Sequence, residues 1–152
     1  MKIDLEEIAE QIDIQPEEWM TFLDKKTYDF IEFSEEAYQD AEEGEPYDHL
    51  PDWQQVERSW ADKVIGDELR FVRVPKKDKV EEYAMIEGFS LSIKDGEKRQ
   101  EMLRAISGRG AFRRFRTLLE QWGMDEEWYD FRDSEYKRIA KEWCEENGID
   151  YM

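Results

Sequence analysis

Apolar residues recur at helical spacing through much of the chain and alternate only over short stretches near its start. Residues 3–12 predict a short acidic helix with Leu5, Ile8 and Ala9 as its apolar stripe. Residues 20–23 and 28–33 predict two strands, joined by a hairpin at Asp24-Lys25-Lys26-Thr27. Phe30, Ile31 and Phe33 put apolar groups on both faces of the second strand. A two-stranded hairpin is marginal alone, so other elements must pack on it. Arg70-Phe71-Val72-Arg73-Val74 supplies a candidate third strand. Between them, Ser34 predicts the cap of a short helix through Tyr38, and the acidic stretch Asp40–Asp48 reads as an exposed loop. Pro51 and Asp52 start a clearer helix. Trp53, Val56, Trp60 and Val64 recur on it at spacings of three or four, which predicts its buried face, and Gly66 marks its end.

The second half is helical throughout. Asp78 with Glu81 predicts a cap, followed by a stripe of Val80, Tyr83, Ile86 and Phe89. A helix over 97–107 turns Met102, Leu103 and Ile106 inward, and Gly108-Arg109-Gly110 breaks it. Residues 111–122 show the sharpest division in the chain. Ala111, Phe112, Phe115, Leu118, Leu119 and Trp122 lie on one side, with Arg113, Arg114, Arg116, Glu120 and Gln121 on the other. Gly123 stops it. Asp125-Glu126-Glu127 favours a new start, and Asp133 or Ser134 predicts the cap of a last helix carrying Tyr136, Ile139, Ala140, Trp143 and Cys144, ended by Gly148. Phe112, Phe115, Trp122, Tyr136 and Trp143 read as chiefly structural. The fold class is α+β: a mostly helical single domain over 1–152, with a small antiparallel sheet of two or three strands near the N-terminal half. An acidic loop at 40–50 has the composition of a mobile segment.

Composition narrows the class. The 21 aromatic residues among 152 supply enough bulk for a core, which argues against a disordered chain. No run approaches the roughly 20 apolar residues that cross a bilayer. Acidic residues stand near the N-terminus where a signal peptide needs an apolar segment. A single cysteine, Cys144, excludes an intramolecular disulfide, and the expected location is cytoplasmic.

The net charge of −18 opposes contact with anionic lipid and the nucleic-acid backbone. Its distribution is uneven. Residues 1–60 carry 19 acids and 4 bases, whereas residues 93–117 carry 3 acids and 8 bases. This basic island, centred on Arg109, Arg113, Arg114 and Arg116, either binds an anionic partner or is internally paired or solvated.

Several motifs resemble those of an uncharacterised bacterial family, UPF0158. They are Ile106-Ser107-Gly108-Arg109-Gly110-Ala111-Phe112-Arg113-Arg114-Phe115, Trp128-Tyr129-x-Phe131-Arg132-Asp133 and Glu142-Trp143-Cys144-Glu145-Glu146-Asn147-Gly148-Ile149. Leu23-Asp24-Lys25-Lys26-Thr27 and Leu50-Pro51-Asp52-Trp53 add support, so the resemblance spreads over about residues 20–150. Tyr28 stands where the family's hairpin more usually has Gly, which leaves the turn type open. The resemblance implies one small cytoplasmic protein and carries over no activity, cofactor or catalytic residue.

Candidate chemistry is sparse. His49 is the single histidine and Cys144 the single cysteine, with no metal-ligand spacing around either. Glu42, Glu43, Glu45, Asp48 and Asp52 form an acidic cluster that reads first as a solvated loop. Cys144 reads as a buried structural thiol, and His49 as a loop or interface residue. The Gly108–Gly110 turn could present backbone N–H groups to a phosphate beside Arg109 and Arg113. It is neither a Walker loop nor a dinucleotide fingerprint. The leading expectation is an interaction or regulatory module that binds a protein with a basic surface, without catalytic residues, metal or cofactor. The alternatives are an enzyme or binding protein for a phosphorylated or anionic small molecule at Gly108–Gly110, and nucleic-acid binding through Arg113, Arg114 and Arg116.

Overall fold

Two compact units organise the chain in the computed structural model, which describes residues 1–77 and 79–152, without the side chains of 79 and 80. The first unit comprises Met1–Lys76 and Ala140–Met152, and the second Lys77–Ile139. The described residues are mostly helical with a small antiparallel sheet in the N-terminal half. The Asp78 cap and the Val80 side chain lie outside the described residues.

In the first unit, α1 (Leu5–Ile14) starts on Asp4, whose carboxylate accepts the Glu6 N–H at 2.9 Å. It buries Ile8, Ala9 and Ile12. Ile3, expected in the helix, instead bridges in parallel to Tyr151 and ties the two chain ends together. β1 (Trp19–Asp24) is the middle strand of the order β2-β1-β3, with β2 at Phe30–Ser34 and β3 at Phe71–Arg73. Both pairings are antiparallel, in the registers Phe22↔Ile31 and Phe22↔Arg73. Met20, Phe22, Ile31, Phe33 and Phe71 form one core face, packed with Ala61, Val64 and the half-buried Tyr38. Thr21 and Leu23 alternate to the other face and are also buried, as a central strand covered on both sides requires.

The hairpin closes through Tyr28 at φ +63°, a conformation that favours glycine. That is the position where Tyr replaces the more usual Gly of the resemblance.

Two further expectations on this unit are corrected. The Ser34 hydroxyl does cap α2, accepting from Ala37 N–H at 3.1 Å. But α2 runs Glu35–Glu43, so the acidic stretch from Asp40 begins as helix, and the exposed non-helical segment starts at Gly44. The face of α3 (Asp52–Gly66) is also reversed. Arg58, Ala61 and Val64 are buried, while Trp53, Val56 and Trp60 are exposed by 64%, 59% and 38%. A fully buried Ala61 lets α3 approach α2 and β2 closely. The polar inward residues are satisfied: Glu57 accepts the Ser34 N–H, and Arg58 pairs with Asp62 at 3.1 Å and stacks on Tyr47.

The second unit contains α4 (Lys79–Leu91), α5 (Gly96–Ala105), α6 (Ala111–Trp122) and the first part of α7 (Asp125–Glu146). Its core is aromatic. Phe89 meets Phe115, Trp128 and Phe131 edge-on, and Phe115 meets Trp128 with ring centroids 4.9 Å apart. Such pairs add about 0.5–1.5 kcal/mol each beyond area burial. Met102 and Ile106 are buried, and the Tyr83 hydroxyl donates to the Ile106 carbonyl at 3.0 Å.

The expected cap at Asp133 or Ser134 does not occur, because α7 passes through both without interruption. No Gly or Pro stands there to break it, and Lys137 pairs with Asp133 one turn away. Phe112 is also corrected: it is 43% exposed, not a core residue.

Candidate interaction surfaces

The acidity belongs almost wholly to one unit. By sequence, the first unit carries 26 acids and 9 bases, net −17, and the second 14 acids and 13 bases, net −1. On the first unit, Trp53, Val56 and Trp60 form an apolar stripe along the outward side of α3. An open groove of about 540 Å³ lies beside it, lined by Tyr47, Asp52, Gln55, Val56, Trp60 and Lys63, among others. Lys63 rests on the Trp60 ring at 4.8 Å. Glu42, Glu43, Glu45, Asp48 and Asp52 are all exposed in the neighbouring α2 end, loop and start of α3. Among the described residues, no group of three or more His, Cys, Asp or Glu is gathered to hold a metal ion. His49 is exposed in the same loop.

The four arginines of the basic island divide by role. Arg114 is committed to the turn it follows: its guanidinium donates to the Ala105 carbonyl at 2.6 Å and the Ser107 carbonyl at 2.8 Å. Gly108 and Gly110 stand at φ +78° and +77°. A β-carbon on Gly110 would sit 2.9 Å from Arg114 Nη1, so the guanidinium occupies the space over that glycine. Arg109 and Arg113 are exposed beside the turn. Arg116, one turn further on, instead lines an apolar cavity with Phe112, Phe115, Trp128 and Tyr129. The turn thus gathers Arg113 and Arg114, and Arg116 serves a different surface.

Cys144 is fully buried, and burial, with the Glu145 charge beside it, pushes its thiol up to about 11. That makes it a poor nucleophile. Asp24 is a strongly perturbed carboxylate. Arg70 grips it through Nε at 2.9 Å and Nη2 at 2.8 Å, and the Lys26 N–H adds a third bond at 2.9 Å. The Arg70 bonds hold its carboxyl down to about 2 against the opposing effect of burial. This pair locks the hairpin turn to β3. It joins residues 46 apart, and only the three-dimensional fold reveals it.

Together these features define an acidic α+β protein with an exposed aromatic helix face and, among the described residues, no group of three or more His, Cys, Asp or Glu gathered to hold a metal ion. No helix among them is long and apolar enough to cross a membrane. The chain belongs to the uncharacterised protein family UPF0158, whose model matches residues 52–152. The match covers the motifs of the second half and begins at Asp52. The hairpin motif at Leu23–Thr27 lies outside it. No curated protein and no solved structure matches the chain.

Proposed function

We propose that this protein is a cytoplasmic interaction module that binds another protein presenting basic and apolar residues on one face. The observation that carries the reading is the Trp53–Val56–Trp60 stripe, exposed on a unit of net charge −17. Large exposed aromatics set among polar residues are the composition of interface hot spots. The acidic residues nearby would steer a cationic partner and disfavour an anionic one. The same charge argues against a nucleic-acid partner at this face. An anionic small molecule at Gly108–Gly110 is less favoured, because Arg114 spends its donors on the turn's own carbonyls.

The test uses full-length protein and two synthetic amphipathic helices of equal hydrophobicity, one Lys/Leu and one Glu/Leu, with binding followed by isothermal titration calorimetry. The cationic peptide should bind saturably, and Trp53→Ala/Trp60→Ala should weaken it at least tenfold without loss of helix content. Preference for the anionic peptide, or cationic binding indifferent to the two tryptophans, would overturn the reading.

A further inference from the structure

We infer that the cavity of the second unit is a binding site for a small amphipathic carboxylate, an acid carried on an aryl or alkyl body. It encloses about 360 Å³, within the range of small-molecule pockets. Met85 and Ile86 of α4, Phe115 of α6 and Trp128 of α7 form its apolar lining, all of them buried. Phe112 and Tyr129 stand at its mouth, 43% and 53% exposed. Phe112 is the informative residue. It lies on the apolar side of α6 with Phe115 and Leu119, yet it is withheld from the core that they enter. Tyr129 is likewise left exposed beside the buried Trp128. Two aromatic rings flanking an opening make a slot for a flat or flexible apolar body.

The charged lining sets the headgroup. Arg116 is exposed at the rim, and Arg132 lies along the Tyr136 ring at 4.8 Å. Glu82, the single acid in the lining, is paired with Lys77 at 3.0 Å, so its charge is offset. An apolar slot with a guanidinium at its mouth selects a carboxylate over a neutral or cationic headgroup, because planar two-point hydrogen bonding matches the two groups. A phosphate ester is less suited, since its extra charge and third terminal oxygen have no lysine to meet them among the described lining residues, which are mostly apolar. This site is independent of the α3 surface and of the partner proposed for it.

The test uses full-length protein with labelled Met and Ile methyl groups, titrated with 4-phenylbutyrate, indole-3-butyrate and octanoate. Each acid is compared with its neutral amide. At least one acid should shift the Met85 and Ile86 methyl signals saturably and bind about tenfold more tightly than its amide. Arg116→Leu, a change at an exposed position, should reduce that preference to about twofold or less. Phe112→Ala should weaken acid and amide together. The inference is overturned if none of the three acids shifts those methyl signals. It is overturned equally if acid and amide bind alike, or if Arg116→Leu leaves the preference intact.

Discussion

Asp24→Asn removes the charge from a buried pair and leaves its shape. In the folded chain the Asp24 carboxyl is held at about 2 instead of 3.8, through its bonds to Arg70 and the Lys26 N–H. A lowered carboxyl contributes stability that is complete above its unfolded value, near 4, and is lost as pH falls through the folded value, near 2. At about 1.4 kcal/mol per unit, the full linkage is about 2.5 kcal/mol. The Arg70 side chain is 28% exposed, so solvent screening reduces this to about 1.5 kcal/mol. Weaker hydrogen bonding by the neutral amide raises the total cost of Asp24→Asn to about 2 kcal/mol at pH 7. The assay is equilibrium urea unfolding of both proteins at pH 7, 5, 4 and 3. Comparing the two at each pH cancels the titration of the other carboxylates. The gap should hold from pH 7 to 5, then shrink, with about half of its charge-dependent part remaining at pH 3. A gap that stays constant to pH 3, or one below about 0.5 kcal/mol at pH 7, refutes the linkage between this carboxylate and the fold.

The glycine turn offers a paired comparison. Gly108→Ala places a β-carbon in open space and should cost about 1 kcal/mol for its positive φ alone, whereas Gly110→Ala also displaces Arg114 and should cost at least 1 kcal/mol more in urea unfolding. Cys144 should stay unreactive toward a disulfide reagent at pH 8, where a thiol near 11 is only about one part in a thousand thiolate, and should react fully once the chain is unfolded. Rapid labelling of the native protein would contradict its burial.

What could be read from the sequence depended on whether local pattern and tertiary demand agreed. On α6 they agree except at Phe112: Ala111, Phe115 and Leu119 are buried, and Gly123 takes the positive φ that ends the helix. The three strands follow from short apolar runs bounded by polar turns. On α3 they disagree. Gln54, Glu57, Arg58, Ala61 and Val64 share a helix face, and Val64 borders both this face and the tryptophan stripe. Hydrophobicity alone therefore selects the stripe, yet the structure turns the polar face inward, where Ser34, Asp62 and Tyr47 meet its polar groups. Those partners come from outside the helix or lie a turn away, so no local period could show them. Asp133 and Ser134 failed as a boundary for a simpler reason: a good cap residue is also tolerated in mid-helix when nothing interrupts the pattern. The cavity was invisible because its walls converge from α4, α6 and α7.

The reversal on α3 bears on the proposed function. Burying two tryptophans is worth several kcal/mol to a small domain, so leaving them out forgoes a large stabilisation. Meanwhile Glu57 and Arg58 occupy the inward face and need dedicated partners to be tolerated there. A helix that served only the fold would gain by exchanging the two faces. In the protein-partner reading, the stripe supplies the short-range apolar burial that sets residence time. The surrounding acids set the rate of encounter, a contribution that acts over about 8 Å at physiological salt. These two contributions are separable. Neutralising Glu45 and Asp48 should slow association with the cationic peptide and flatten its salt dependence, while truncating Trp53 and Trp60 should speed dissociation. A stripe without an acidic surround would hold any apolar segment, and acids without the stripe would hold any cation weakly. Their coincidence on one unit, with the second unit close to neutral, is what points to a partner both basic and amphipathic.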